Sequence, residues 1–110
     1  RWLVSRSGDV ESWLVLGMLR DKAPQGFVAE LAPRMDRFVF CGLPGRRGQS
    51  ARQLRGKVRV HQLKATLADD PAAALDRVLP QLQPADRLLL AGSFVTVELA
   101  ARHLGLANGS

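Results

Sequence analysis

Cysteine, aromatic residues and long apolar runs are all scarce in this sequence of 110 residues, and each shortage excludes a class of protein. Cys41 is the only cysteine, so an internal disulfide is impossible and a cysteine-based metal site is disfavoured. Apolar runs such as residues 88–91 fall far short of the roughly 18 residues of a membrane-spanning helix. We therefore expect a protein without membrane segments, and the lone cysteine fits a cytoplasmic location.

Familiar nucleotide-binding and catalytic patterns are also missing. The only Gly-Lys pair, Gly56-Lys57, is followed by Val58 rather than by Ser or Thr, so it is not a phosphate-binding loop. Neither of the two histidines is accompanied by carboxylates in a sequence pattern typical of a catalytic site. We expect His61 to be a solvated strand residue and His103 a helix C-terminal residue that the helix dipole favours.

What the chain does contain is the composition of one globular domain spanning residues 1–110. Hydrophobic residues make up 46% and charged residues 24%, which excludes an intrinsically disordered tail. The first residue is Arg1 rather than Met, and no signal peptide is visible. We expect the sequence to be a piece of a longer protein, with its start truncated.

The hydrophobic pattern predicts strands that alternate with helices. The expected strands are 12–18, 37–41, 57–61 and 86–92, and the expected helices are 24–35, 50–54, 71–82 and 93–105. Residues 88–91 are continuously apolar and predict a central parallel strand, whereas 57–61 alternate and predict a half-exposed strand at a sheet edge. The third helix is expected to bury Leu79 and Leu82, and the last to bury Val95, Leu99 and Leu104.

This alternation predicts an α/β domain with a Rossmann-like, mostly parallel sheet and flanking helices. Ligands of such sheets bind at the carboxyl ends of the strands. Three loops are expected there, at residues 19–24, 42–49 and 92–94. Cys41 ends a strand beside a basic loop, where its pKa could fall, but a small buried filler is the preferred interpretation.

Positive charge is concentrated in one part of the sequence. Residues 37–68 contain no acidic residue, and the rest of the chain is slightly acidic. The eight basic residues of this stretch are Arg37, Arg46, Arg47, Arg52, Arg55, Lys57, Arg59 and Lys64. Such a stretch attracts phosphates or forms a solvated face, and the sequence favours neither. Nucleic-acid binding is disfavoured because this stretch contains only two aromatic residues, Phe38 and Phe40, and both occupy expected strand positions.

Three segments together resemble the C-terminal domain of the folylpolyglutamate synthase / dihydrofolate synthase family, which is related to the Mur ligases. Gly17–Lys22 is similar to that family's Gly-Met-Leu-x-Asp-Lys-Asp motif. Gly45–Gly48 resembles its Gly-Pro-Arg-Gly-like loop, and Gly92–Val97 its Gly-Ser-Phe-x-Thr-Val motif. The first and third motifs are specific together, whereas the arginine loop alone is a weak signal.

The resemblance implies part of an ATP-dependent amide ligase that adds L-glutamate to dihydropteroate or folate. ATP would phosphorylate a pterin-linked carboxylate, and the amino group of glutamate would attack the acyl phosphate. The family implies ATP and magnesium as cofactors, with the phosphate loop and metal ligands in an N-terminal ATPase domain outside this chain. No catalytic residue is therefore expected here, and the chain alone is expected to be inactive.

The sequence also departs from the family. Ala23 stands where the first motif has its third charged residue, an acid. The family's Asp-Ala-His-Asn-Pro motif is absent, either because the sequence begins just after it or because this relative lost it.

Four residues carry over as candidate site residues. Ser93 matches a serine that the resemblance places near glutamate, although a simple helix N-cap is an equal alternative. Asp21, Lys22 and Arg47 would belong to loops that face the nucleotide. For these three a structural role is preferred, with Asp21 and Lys22 pairing with each other. The remaining alternative for the chain is a non-enzymatic phosphate- or nucleic-acid-binding or interaction module that uses residues 37–64.

Overall fold

The computed structural model describes residues 10–60, 62–92 and 94–105. Four parallel strands form one sheet in the order β3-β2-β1-β4, with β1 at Ser12–Leu16, β2 at Arg37–Cys41, β3 at Ala65–Ala68 and β4 at Arg87–Ala91. The helices are α1 at Gln25–Leu31, α2 at Ala51–Gly56, α3 at Pro71–Val78 and α4 at Phe94–His103. The predicted Rossmann-like α/β fold is thereby confirmed.

The central strand β1 is buried along its whole length because helices cover both faces of the sheet. Successive side chains of a strand point to opposite faces. Leu14 and Leu16 therefore pack on one side with Val28 of α1 and Leu54 of α2. Trp13 and Val15 belong to a second cluster with Ala74 and Val78 of α3. Burial on two faces explains why β1 reads as a continuous apolar run.

The predicted third strand was wrong, since β3 lies at Ala65–Ala68 rather than at 57–61. The backbone after α2 forms turn bonds instead, in which Val58 N–H donates to the Arg55 carbonyl at 3.1 Å. Arg59 N–H donates to the side chain of Gln25 at 2.6 Å. Val58 is nonetheless buried against the core, so the alternation marked packing rather than a strand. His61 lies outside the described residues.

The predicted central position of the fourth strand was also wrong. In the described sheet β4 is an edge strand that pairs with β1 alone, and Leu89 is 43% exposed. The centre is occupied by β1, which pairs with both β2 and β4. Its continuous leucines gave β4 the appearance of a buried strand.

Two prolines shorten the predicted helices. The chain leaves α1 for a 3₁₀ turn at Ala32–Arg34, as expected from Pro33, and it leaves α3 for another at Leu79–Gln81, which contains Pro80. A proline has no N–H to continue an α-helix. Leu79 is consequently 41% exposed rather than buried, while Leu82 packs against the core as predicted.

The last helix buries a different face from the one predicted. Thr96 and Ala100 are fully buried, Leu99 is half-buried and Leu104 is 36% exposed. The side chain of Val95 lies outside the described part of the chain. His103 ends α4 as predicted, and its Nε2 lies 2.7 Å from Oδ1 of Asp76 on α3. None of the helices that the structure describes is long and apolar enough to cross a membrane.

We predict that Leu75→Ala lowers the free energy of unfolding by about 2–5 kcal/mol, because it empties space around a fully buried leucine of α3. The matched control is Leu79→Ala, which removes the same atoms from the exposed turn that follows and should cost about 0.5 kcal/mol. Urea unfolding of both variants measures the difference. Equal losses would show that Leu79 is a core residue after all.

Candidate functional site

The loops that follow β1, β2 and β4 meet at the carboxyl edge of the sheet, as the sequence predicts. Arg20 N–H of the first loop donates to the Arg47 carbonyl of the second at 2.7 Å. Gly17, at the end of β1, donates to the Ala91 carbonyl at the end of β4 at 3.2 Å. Gly17–Lys22 is therefore hydrogen-bonded to Gly45–Gly48. The third family-like segment, Gly92–Val97, begins beside Gly17.

A pair of glycines allows this close approach. Gly92 has a φ of +115°, and a Cβ atom there would lie 2.0 Å from the Gly17 carbonyl oxygen. Any side chain at position 92 would therefore force the ends of β1 and β4 apart. Beyond Gly92, the buried hydroxyl of Thr96 donates to the same Gly17 oxygen at 2.7 Å and ties α4 to the end of β1. Ser93, between Gly92 and α4, lies outside the described residues.

Gln49 joins the first two loops, although no sequence pattern marks it. Its side chain is buried, and Nε2 donates to the carbonyls of Met18 at 3.0 Å and Leu19 at 3.2 Å. Oε1 of the same amide is buried without a hydrogen-bond partner. A glutamine in a glycine-rich loop carries no distinctive sequence signal, because its importance comes only from the carbonyls it meets in the fold.

The structure brings Asp21 and Arg47 together. Arg47 donates to the Asp21 carboxylate at 3.3 Å, and both side chains are well exposed. An exposed pair of this kind stabilises a fold by no more than about 1 kcal/mol. Lys22 is exposed beside them, and its backbone N–H donates to the Leu19 carbonyl at 3.0 Å. The partner that the structure gives to Asp21 is thus Arg47, not the predicted Lys22.

More cations surround this pair. The Arg20 guanidinium donates to the Arg46 carbonyl. Lys57 Nζ, at the end of α2, donates to the Arg20 carbonyl at 2.8 Å. A cavity of about 270 Å³ lies between Arg20, Asp21 and Arg47. The first two loops thus present several positive groups on one surface.

The basic stretch 37–64 does not form a single face. Arg37 lies at the start of β2, donates to Glu11 at 2.9 Å and stacks 5.3 Å from the ring centre of Trp13. Arg55 lies 5.6 Å from the ring centre of Phe40 and donates to the Val58 carbonyl. These two arginines make contacts within the fold, whereas Arg46 and Arg47 lie in the second loop at the carboxyl edge.

Cys41 is the buried filler that the sequence favours. It is fully buried at the end of β2, and burial, reinforced by the negative charge of Asp70, raises its pKa to about 12. Its thiol is therefore protonated at neutral pH and cannot act as a nucleophile.

A larger cavity of about 600 Å³ opens at the ends of β2 and β3. It is bounded by the loop 42–50, the start of α3 and Leu99 of α4, and its titratable residues are Asp69 and Asp70. Asp70 also caps α3 by accepting from Ala73 N–H at 2.8 Å. In the described part of the chain no cluster of three or more His, Cys, Asp or Glu residues could hold a metal ion.

Comparisons with known proteins point to one family. The family model described as "Mur ligase, glutamate ligase domain" matches residues 3–94. No curated protein sequence matches the chain significantly.

Solved structures give the same result. A bifunctional folylpolyglutamate synthase/dihydrofolate synthase from Yersinia pestis, complexed with AMPPNP and a Mn ion, is 32% identical with a TM-score of 0.77 over 87% of this chain and 22% of that one. Another structure of the Yersinia pestis enzyme is 33% identical, with a TM-score of 0.77 over 96% of this chain and 25% of that one. FolC of E. coli, in complex with DHPP and ADP, is 30% identical, with a TM-score of 0.75 over 86% of this chain and 22% of that one. The chain thus spans a quarter or less of these enzymes.

We predict that Gln49→Leu lowers the free energy of unfolding by about 1–3 kcal/mol, because it removes the donor from two carbonyls while keeping the side-chain volume. Gln81→Leu is the matched control, since Gln81 makes an exposed bond to the Arg77 carbonyl and should matter little. Chemical denaturation measures stability, and amide exchange at Arg20 reports loosening of the first loop. Equal effects of the two variants would contradict a linking role for Gln49.

Proposed function

The chain belongs to the family of Mur ligase glutamate ligase domains, and on that basis we propose that it is the C-terminal domain of an ATP-dependent ligase that adds L-glutamate to dihydropteroate or folate. The similarity to folylpolyglutamate synthase/dihydrofolate synthase over most of this chain supports that substrate class. It also confirms the resemblance identified from the sequence. Because the chain covers only part of those enzymes, the activity requires a further, N-terminal ATP-binding domain in our proposal.

One observation carries the proposal. Gly17–Lys22 and the loop 42–49 are joined by Gln49, and Gly92 is held against Gly17. All three family-like segments therefore begin at the carboxyl edge of one parallel sheet, where ligands of such folds bind.

The chemistry that we propose has two steps. A carboxylate oxygen of the pterin-linked substrate attacks the γ-phosphorus of ATP, so an acyl phosphate forms and ADP leaves. The amino group of glutamate then attacks the acyl carbon, an amide bond forms, and phosphate leaves as the amine loses its proton. Both steps place anionic groups next to each other, so cations and N–H donors at the site lower the barrier.

This domain supplies part of that environment in our proposal. Lys22 and Arg47 face the nucleotide, and Asp21 orients Arg47 through their ion pair. Ser93, next to the start of α4, donates its hydroxyl to a carboxylate of the incoming glutamate. The described residues do not fit a magnesium site, so we assign the metal ligands to the N-terminal domain.

The proposal is tested by assaying the protein that contains this domain with ATP, L-glutamate and dihydropteroate. We expect ADP release that needs both other substrates, together with a product heavier by one glutamate in mass spectrometry. The 110-residue chain alone should show neither, since it lacks a phosphate loop. Absence of glutamylated product from the larger protein would overturn the proposed function, and turnover by the chain alone would overturn the division between domains.

We predict that Ser93→Ala in the larger protein raises the KM for glutamate about ten- to a hundredfold, because a hydrogen bond to a charged group is lost. The KM for ATP should change much less. If Ser93 is only a helix cap, the substitution would instead cost about 1 kcal/mol of stability and leave the glutamate dependence unchanged. Steady-state kinetics and a melting curve together separate the two roles, and Ser50→Ala, at the cap of α2, is the matched control.

A further inference from the structure

Positive charge also gathers at the amino edge of the sheet, at the opposite end of the strands from the loops described above. The strand register pairs Trp13 of β1 with Arg37 of β2. It also pairs Phe38 with Ala65, so Lys64, which comes directly before β3, stands beside Arg37. The Lys64 carbonyl accepts from Phe38 N–H at 2.9 Å and fixes this arrangement. The first and last cations of the basic stretch therefore meet at one edge.

These residues border a cavity of about 200 Å³ at the starts of three strands and the end of α3. Arg77, in the last turn of α3, adds a third cation to the wall, and Thr66 and Gln81 add polar groups. Among the described residues that line this cavity there is no carboxylate. Pockets for drug-sized ligands measure about 300–1,000 Å³, so this cavity suits one small group rather than a nucleotide.

Two of the three cations have no anionic partner. Arg37 donates through Nε to Glu11 at 2.9 Å. Lys64 and Arg77 form no ion pair within the part of the chain that the structure describes. Asp36, next to Arg37 in the chain, lines a different cavity. Because like charges on neighbouring strands repel each other, the cavity holds a surplus of two positive charges that an anion would neutralise.

The indole N–H of Trp13 is an independent indication of a ligand. Trp13 is only 5% exposed, and its Nε1 is buried without a hydrogen-bond partner among the described residues. A buried donor without an acceptor costs stability, and native proteins contain few of them. Trp13 lines the same cavity as the two unpaired cations. An oxyanion in this cavity therefore brings an acceptor to the wall that Trp13 forms.

We propose that this amino-edge cavity binds a phosphate dianion, either inorganic phosphate or the phosphate group of a monoester. A phosphate group carries about −1.5 to −2 at pH 7, which matches the surplus that remains after Glu11 neutralises Arg37. A carboxylate brings only one charge. Lys64 and Arg77 supply the two unpaired charges, Arg37 its remaining guanidinium N–H groups and Trp13 its indole N–H. The site lies away from the carboxyl edge and does not depend on the proposed function.

The Trp13 indole is also the probe for the test. The chain has two tryptophans, so a Trp2→Phe variant identifies the Trp13 signal in a ¹⁵N–¹H spectrum. Inorganic phosphate, added to the 110-residue chain at constant ionic strength, should move this signal saturably. Since phosphate would bind the folded chain, it should also raise Tm by about 5–10 °C at ten times its Kd. Acetate at the same concentration should do neither.

The source of the phosphate is distinguished by repeating the titration with glycerol phosphate, a monoester. Tighter binding than that of inorganic phosphate assigns the site to the phosphate group of a larger molecule. Weaker binding assigns it to the free ion.

Variants then locate the binding. Lys64→Gln/Arg77→Gln should weaken phosphate binding roughly five- to thirtyfold, whereas Lys64→Arg/Arg77→Lys keeps both charges and should largely keep the affinity. Arg34→Gln/Arg52→Gln is the matched control. These exposed arginines lose the same charge and belong to the turn after α1 and to α2, which cover the other face of the sheet. A Trp13 signal that does not move, an equal shift with acetate, or an equal loss of affinity in the control would overturn the site. Melting curves show whether each variant is folded.

Discussion

The close contact between Gly17 and Gly92 is the constraint on which the carboxyl edge depends. Strands β1 and β4 end side by side, and the space between their last residues admits no Cβ at position 92. Thr96 then uses the same Gly17 oxygen to fix the first turns of α4. The start of α4 is therefore fixed to the end of β1 by a close backbone contact and by a buried hydroxyl.

The opposite side of the first loop is held by a single buried amide. Gln49 donates to the carbonyls of Met18 and Leu19, and the charged residues of the two loops then lie outside it, in solvent. Backbone contacts and this neutral side chain are the buried supports of the edge, while the exposed Asp21–Arg47 pair contributes little stability. Replacing one exposed charge of these loops is therefore expected to cost the fold little.

The sequence predicted those parts of the fold that depend on a local residue pattern. Strands β1 and β2 were evident because both of their faces are apolar, and Ser50 and Asp70 cap their helices through local bonds. Strand β3 was missed because Ala65–Ala68 is short and half exposed, while Val58 and Val60 alternate without pairing. Gln49 could not be found for a similar reason, since its partners are 30 and 31 residues away in the chain. The missed features are those that depend on tertiary contacts.

Positive and negative charges occupy different parts of the carboxyl edge, although the net charge of the chain is +6. The cavity at the ends of β2 and β3 has only carboxylates among its titratable residues, whereas the smaller cavity beside the end of β1 is lined by Arg20 and Arg47 together with Asp21. The loop 42–50 borders both, with Gln49 between them. An anion that approaches this edge is therefore repelled by Asp69 and Asp70 and attracted towards Arg20 and Arg46. Because Coulomb forces act before contact, this division orients an anion at the edge ahead of any specific hydrogen bond.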